Sequence, residues 1–384
     1  DVVVKTRFAK ERHAAAMCFV NSYRERGYFD SSGLFHGRIL DAKPPRDHLI
    51  SPLTVHLEVT NECNLKCAHC FAANNTPQRP LSLGELDTLF RELAGLGSYR
   101  IGLTGGEPLA REDILQILDS ALAHGLNPCM TTNGLLITQH LAQELGKRQF
   151  AWLNVSLDGA TRSTNDAVRG LGMFDQVIHR IAILRRHSRF SLAFTVMKHN
   201  VHEMEDFCRL AKSVGASAAV FRPLYPVGAA AGRPDIMPDF KDYLESLQRL
   251  QDHGDGFEME LCSVHPWGPG TRHNRHAVVS RNFGCGAGNT SCSISAGGDV
   301  SPCSFLGREY VSGNLRESTF ASIWNGGKSF TAIRNLPGDS SCENCGEYDV
   351  CGGGCRARAL ASAGGINAAD PWCIRTTASF PLAS

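Results

Sequence analysis

Fifteen cysteines are spread through 384 residues, and eight of them lie between Cys285 and Cys373. The opening segment, Asp1–Arg12, alternates charges and has no signal-peptide apolar core. Without such a signal the cysteines argue against a disulfide framework and for metal or redox chemistry in a reducing compartment. From Gly284 to Ser384 glycines are many and apolar runs short, so this segment cannot build much of a core by itself. Metal sites are expected to supply its cross-links.

The rest of the chain is ordinary globular sequence, 42% hydrophobic and 20% charged. Its 39 Lys and Arg against 38 Asp and Glu leave a formal charge of +1, which excludes a global field for nucleic acid or an anionic membrane. No apolar run approaches the roughly 18–20 residues that span a bilayer, and a cytoplasmic location is expected. The missing initiator Met suggests a trimmed N-terminus. From Leu53 onward, short β-branched runs alternate with amphipathic ones. Strands are predicted at Leu53–Val59, Arg100–Leu103, Asn127–Thr131, Trp152–Ser156, Ser191–Val196 and Ala218–Arg222. The helices expected are Leu83–Ala94, Glu112–His124, Ile137–Gly146, Phe174–Arg186, Val201–Val214 and Asp239–Gln251. Six βα units in series predict an α/β fold with a parallel sheet curled into a full or partial barrel. The organisation read from this is an extension over 1–50 with a helix near Ala14–Arg26, a barrel over 51–262, a linker over 263–283 and a cysteine-rich domain over 284–384.

Active groups in such barrels collect at the C-terminal ends of strands, and the chain's distinctive residues fall there. Cys63-Asn-Leu-Lys-Cys67-Ala-His-Cys70 follows the first strand, Gly105-Gly106-Glu107-Pro108 the second, Asn133 the third and Asp158 the fourth. Soft thiolates select iron–sulfur clusters, zinc or copper. Three ligands to a four-iron cluster leave one iron open for a small molecule; alternatively His69 completes a three-cysteine, one-histidine zinc site. Asn133-Gly134 and Asp158-Gly159 are also plain turn formers.

The CxxxCxxC loop followed by Phe71 resembles the signature of the radical S-adenosylmethionine (SAM) superfamily, and Gly105-Gly106-Glu107-Pro108 resembles its GGEP motif. The resemblance implies a partial (β/α)6 TIM-like barrel with a SAM-binding [4Fe–4S] cluster on Cys63, Cys67 and Cys70. It further implies SAM contacts at Phe71, Gly105, Gly106, Glu107, Pro108, Asn133, Ser156, Asp158, Arg169 and Arg222, with Glu107 accepting from the methionine ammonium. The run Cys342-x2-Cys345-x5-Cys351-x3-Cys355, with Gly298-x4-Cys303 upstream, matches the SPASM extension of that superfamily. By this resemblance Cys285, Cys292, Cys303 and Cys355 hold one auxiliary [4Fe–4S] cluster and Cys342, Cys345, Cys351 and Cys373 a second. A reading without Cys292 leaves an open iron on the first, and two zinc sites are the other alternative. Cys18, Cys129, Cys208 and Cys262 are expected to be packing residues.

What the resemblance implies for activity is an oxidoreductase. Reductive cleavage of SAM gives a 5′-deoxyadenosyl radical that abstracts a substrate hydrogen, and the auxiliary clusters take up or relay an electron. The leading expectation is oxidative modification, such as a cross-link, of a ribosomally made peptide. The partners expected are that peptide, a separate peptide-recognition protein, and a reductant such as flavodoxin or ferredoxin. His265, Arg272, His273, Arg275, His276 and Arg281 are either a contact for an acidic peptide or a solvated linker. The sulfatase-maturing branch has an acidic base after the cysteine corresponding to Cys303; Ser304 stands here and weighs against that activity. Oxidation or decarboxylation of a tetrapyrrole, or oxidation of a sugar alcohol, is the alternative substrate reading. A non-catalytic iron–sulfur or zinc scaffold is the alternative class.

Overall fold

The computed structural model describes residues 48–75, 77–252, 259–261, 285–336, 342–345 and 348–373. The helix expected at Ala14–Arg26, Cys18, Cys262 and the 263–283 linker with its His/Arg cluster lie outside these. All the described residues belong to one compact unit, Arg46–Ser384.

Its backbone is a ten-stranded sheet. Strands β1 (Thr54–Thr60), β2 (Arg100–Gly105), β3 (Asn127–Thr132), β4 (Trp152–Ser156), β5 (Ser191–Val196), β6 (Ala218–Pro223) and β7 (Met259–Leu261) pair in sequence order, every pair parallel. Parallel neighbours need crossovers, and helices supply them. They are α1 (Leu83–Leu96), α2 (Ile114–Ala123), α3 (Gln139–Gly146), α4 (Arg162–Arg169), α5 (Met173–Leu184), α6 (Met204–Ser213) and α7 (Phe240–Asp252). Ser82 and Glu85 form a reciprocal capping box that starts α1, and Gly97 ends it in a left-handed conformation with φ of 88°. One face of each strand packs under the helices. Val55, Leu57, Ile101, Leu103, Leu153, Val155, Leu192 and Phe194 are at most 2% exposed there.

The cysteine-rich segment was expected to have little core of its own, and the structure shows where it borrows one. Strand β8 (Ser291–Ile294) adds parallel to the free edge of β1, and β9 (Asp299–Ser301) and β10 (Gly313–Asn314) extend the sheet antiparallel. Helices α8 (Phe320–Gly326) and α9 (Lys328–Arg334) then place Phe320, Trp324 and Phe330 in the same apolar cluster as Val55 and Leu57. The boundary expected near residue 284 therefore does not divide the sheet. Two short helices complete the segment, α10 (Tyr348–Cys351) and α11 (Arg356–Ala363). Among the described residues no helix is long and apolar enough to cross a membrane.

Candidate functional site

The loop after β1 carries Cys63, exposed, and Cys67 and Cys70, both half-buried. Backbone contacts hold it from several sides. Glu107 N donates to Glu62 O at 2.7 Å, Ala68 N to Val168 O at 2.9 Å and Ala229 N to Cys70 O at 2.8 Å. The close approaches require glycine. A Cβ on Gly106 would collide with Glu62 O, and one on Gly228, whose φ is +59°, with the carbonyls of Cys70 and Phe71. The Gly105-Gly106 pair is thus a cradle for the cysteine loop.

Glu107, expected to accept from a ligand ammonium, is held here by three protein donors. It is 1% exposed, and its carboxylate accepts from Thr132 Oγ1 at 2.6 Å, Asn133 N at 2.7 Å and Leu109 N at 3.0 Å. Burial raises its pKa, and those three donors oppose the rise. It ties the end of β2 to the end of β3. Pro108 starts the short helical turn after it. Asn133 turns its amide to Asn64 Oδ1, 2.7 Å away on the cysteine loop.

Asp158 also works inside the protein. It is fully buried, and its Oδ2 lies 2.5 Å from His69 Nε2 and 2.8 Å from Arg169 Nε; Oδ1 accepts from Thr195 N at 2.8 Å. Arg169 Nε is poorly aligned for a hydrogen bond, so its attraction to Asp158 is ionic. Burial alone would raise the Asp158 pKa, but Arg169 and His69 hold it well below the usual carboxylate range. Asp158 and Arg169, both expected near a ligand, here form a buried group that holds the cysteine loop through His69. Among the described residues no three His, Cys, Asp or Glu side chains are arranged around a single metal ion.

Two adjoining cavities, of about 230 and about 220 Å³, lie beside this loop and share Phe71, Thr104, Thr131, Asn154, Arg222 and Phe305 in their walls. The first is also walled by His69, Cys70 and Ser156, the second by His56, Arg100, Cys303 and Ser304. Burial, with Arg222 and Arg100 adding to it, lowers His56 to about 4 and keeps it neutral at pH 7. Phe71 meets Phe305 edge-on with ring centroids 5.6 Å apart, and Phe305 stacks on Tyr225 at 4.3 Å. This aromatic trio, of which only Phe71 was foreseen, links the cysteine loop, the end of β6 and the C-terminal segment.

In that segment Cys303 lies near enough to Cys285 and Cys355, Cys355 to Cys285, and Cys351 to Cys373, for the neighbouring thiol to add to the rise that burial gives Cys303, Cys355 and Cys351. Cys342 and Cys345 share one turn, with Cys345 N donating to Cys342 O. Cys292, expected with Cys285, Cys303 and Cys355, stands in a different setting. It borders the second cavity, but in β8 it is paired in register with Val55 of β1, whereas Ser293 pairs with His56. Paired residues share a face, so Cys292 turns with Val55 into the apolar core, where it is 1% exposed. The charge that acts on it is Arg334 of α9. Of the cysteines expected to be packing residues, Cys208 lies partly buried against the core, and Cys129 borders the second cavity.

Ten thiols outside the main core cluster of the sheet, one trio on a strand-end loop braced by glycines and opening beside a cavity, suit thiolate-bound iron better than closed mononuclear sites. Burial pushes Cys67 up to about 11, so that binding a metal there displaces a proton. These features define an iron–sulfur enzyme of the barrel class. Residues 57–211 match the radical SAM superfamily and residues 285–346 the SPASM iron–sulfur cluster-binding domain. Among curated proteins the chain is 30% identical to mycofactocin maturase MftC of Mycolicibacterium smegmatis, over 85% of this chain and 83% of that protein. It is 31% identical to an AdoMet-dependent heme synthase of Methanosarcina barkeri, over 84% of this chain and 97% of the relative. Among solved structures, Streptococcus suis SuiB bound to its precursor peptide SuiA superposes with a TM-score of 0.75 at 17% identity, over 94% of this chain and 89% of SuiB. The chain belongs to the radical SAM enzymes that carry a SPASM domain. It is accordingly an oxidoreductase with a SAM-binding [4Fe–4S] cluster and auxiliary clusters.

Proposed function

We propose that this enzyme oxidises a ribosomally made peptide. In this reading Cys63, Cys67 and Cys70 hold the SAM-binding cluster, and SAM lies against Phe71, the Gly105–Pro108 backbone, Asn133, Ser156 and Arg222. Cys285, Cys303 and Cys355 hold the first auxiliary cluster and Cys342, Cys345, Cys351 and Cys373 the second. When bound, the barrel cluster supplies the electron that cleaves SAM into a hydrogen-abstracting radical.

The chain's own residues position the reactants and exclude water. Asp158, His69 and Arg169 keep the cysteine loop fixed relative to β4 and α4. Phe71, Phe305 and Tyr225 close an apolar wall over the adjoining cavities. The observation that carries the reading is the pair of adjoining cavities, one walled by Cys70 and the other by Cys303, which offers one substrate group a place between the two thiol sets. MftC is a maturase and SuiB binds a precursor peptide, which supports a peptide as that substrate. The heme synthase relative supports the second reading, oxidation of a tetrapyrrole side chain.

The test uses anaerobically reconstituted enzyme with SAM and dithionite. 5′-Deoxyadenosine is expected from the wild type and none from Cys67→Ala. If a short peptide is encoded beside the gene, incubation with it is expected to lower its mass by one or more pairs of hydrogens. An unchanged peptide mass together with oxidation of an added porphyrin overturns the peptide reading and establishes the tetrapyrrole one.

A further inference from the structure

Glu58 lies on β1, five residues before Cys63, and the cysteine loop makes no use of it. Its carboxylate is buried at 6% exposure, and among the described residues the side-chain donor to it is Asn75 Nδ2, 3.1 Å from Oε2. A carboxyl enclosed with so little hydrogen bonding is costly in its charged form. It faces a polar cavity of about 80 Å³, roomy enough for several waters, whose wall includes Ser293, Ser301 and Ser304.

The sheet explains the juxtaposition. His56 of β1 pairs with Ser293 of β8, and Glu58, two residues beyond His56, emerges on the same face. Ser293 Oγ lies 2.8 Å from Ser304 Oγ. Ser304 belongs to the walls of both the small polar cavity and the larger barrel cavity that holds Arg222 and Cys303. The two hydroxyls therefore bridge the compartment of Glu58 and the compartment beside the thiols.

We propose that Glu58 is the proton acceptor at the end of a route leaving the barrel cavity through Ser304 and Ser293. An O–H, N–H or S–H of the substrate gives its proton to Ser304 Oγ as the Ser304 proton passes to Ser293 Oγ. The Ser293 proton passes through water in the small cavity to a Glu58 carboxylate oxygen. One proton moves, no electron moves with it, and Glu58 ends neutral.

Burial raises Glu58 to about 7, with the Asn75 hydrogen bond opposing the rise, so it can exchange a proton near neutral pH. The charged groups facing it across the small cavity are Asp299 of β9 and Arg308. Asp299 is held by Gln78 Nε2 at 2.6 Å and Asn314 Nδ2 at 2.8 Å. The inference deepens the oxidative reading above, since removing a hydrogen atom and an electron from a substrate leaves a proton to be placed.

The experiment has two parts. Infrared difference spectra of the reconstituted full-length enzyme, recorded against pH without substrate, are expected to show a protonated carboxyl band titrating near pH 7 that is absent from Glu58→Gln. A Glu58-dependent band with a midpoint below about pH 5, or no difference between the two proteins, overturns the proposal whatever the substrate proves to be. With a peptide that the enzyme is found to oxidise, product formed per 5′-deoxyadenosine is expected to rise about tenfold between pH 6 and 8, as ionisation of a group near 7 requires. That rise is expected to vanish in Glu58→Gln, to return in Glu58→Asp, and to flatten in Ser304→Ala although the infrared band persists. An unflattened Ser304→Ala profile overturns the route. Failure of the peptide reading leaves the infrared titration unaffected, so the two claims fail separately.

Discussion

The side chain of Asp158 shows how a residue that stands out in the sequence can have neighbours that the sequence does not display. An Asp-Gly pair at a strand end marks a functional position in a barrel, but sequence alone cannot say which groups 11 and 89 residues away will turn toward it. Arg169 and His69 do, and they share one oxygen that is fully buried. Removing one member of such a group leaves an uncompensated charge in the interior, typically costing about 3 kcal/mol or more. Asp158→Asn is therefore expected to lower the thermal midpoint by several degrees and to reduce iron bound by the barrel, read by calorimetry and iron analysis. Glu58 has the opposite electrostatics. Its folded pKa of about 7 lies above the ordinary carboxyl value, so the folded state loses stability as pH rises from about 4.5 through 7. Glu58→Gln is neutral throughout, and its stability relative to wild type is expected to increase between pH 5 and pH 8 in urea titrations.

At the level of elements, the six barrel strands were legible to within two residues because each is a β-branched run followed by an amphipathic helix. Three kinds of element were not. Helix α4 buries Asn165 and Arg169, polar residues that blur the apolar periodicity. The 3-10 turn Val201–Glu203 precedes α6 where one continuous helix was expected. Strand β8 is four residues of Ser, Cys and Ile whose stability comes from pairing with β1, more than two hundred residues away. Missing β8 meant missing its alternation, and alternation sets which way Cys292 faces. Because Cys292 faces the apolar core beside Val55, Cys292→Ala is expected to retain the full iron content, whereas Cys303→Ala loses one cluster's worth. Iron and sulfide analysis of the two variants decides the matter, and equal losses would restore Cys292 as a ligand.

For the whole molecule, the question is what keeps a loop-rich segment docked on a barrel. Part of the answer is the continuous sheet, and part is a second apolar contact far from it in sequence. Trp372, 7% exposed, stacks on Phe240 at 5.0 Å and lies 5.3 Å from Tyr243, both on α7, while the Arg358 guanidinium covers it at 4.5 Å. Arg358 is paired in turn with Asp370, both 2% exposed, and Asp370 Oδ2 accepts from Cys355 N at 2.6 Å. The contact that seals the barrel's last helix is thus coupled through one ion pair to the backbone of a thiol in the first auxiliary set. Truncating a buried tryptophan costs about 3–5 kcal/mol, so Trp372→Ala is expected to lower stability by about that much in denaturant unfolding. A purely local contact would stop there. If the coupling is real, hydrogen exchange in Trp372→Ala also rises at the amides of Cys355 to Ala359, while amides of β2 and β3 keep their wild-type protection. Increased exchange confined to α7 would show that the segment is held by its strands alone.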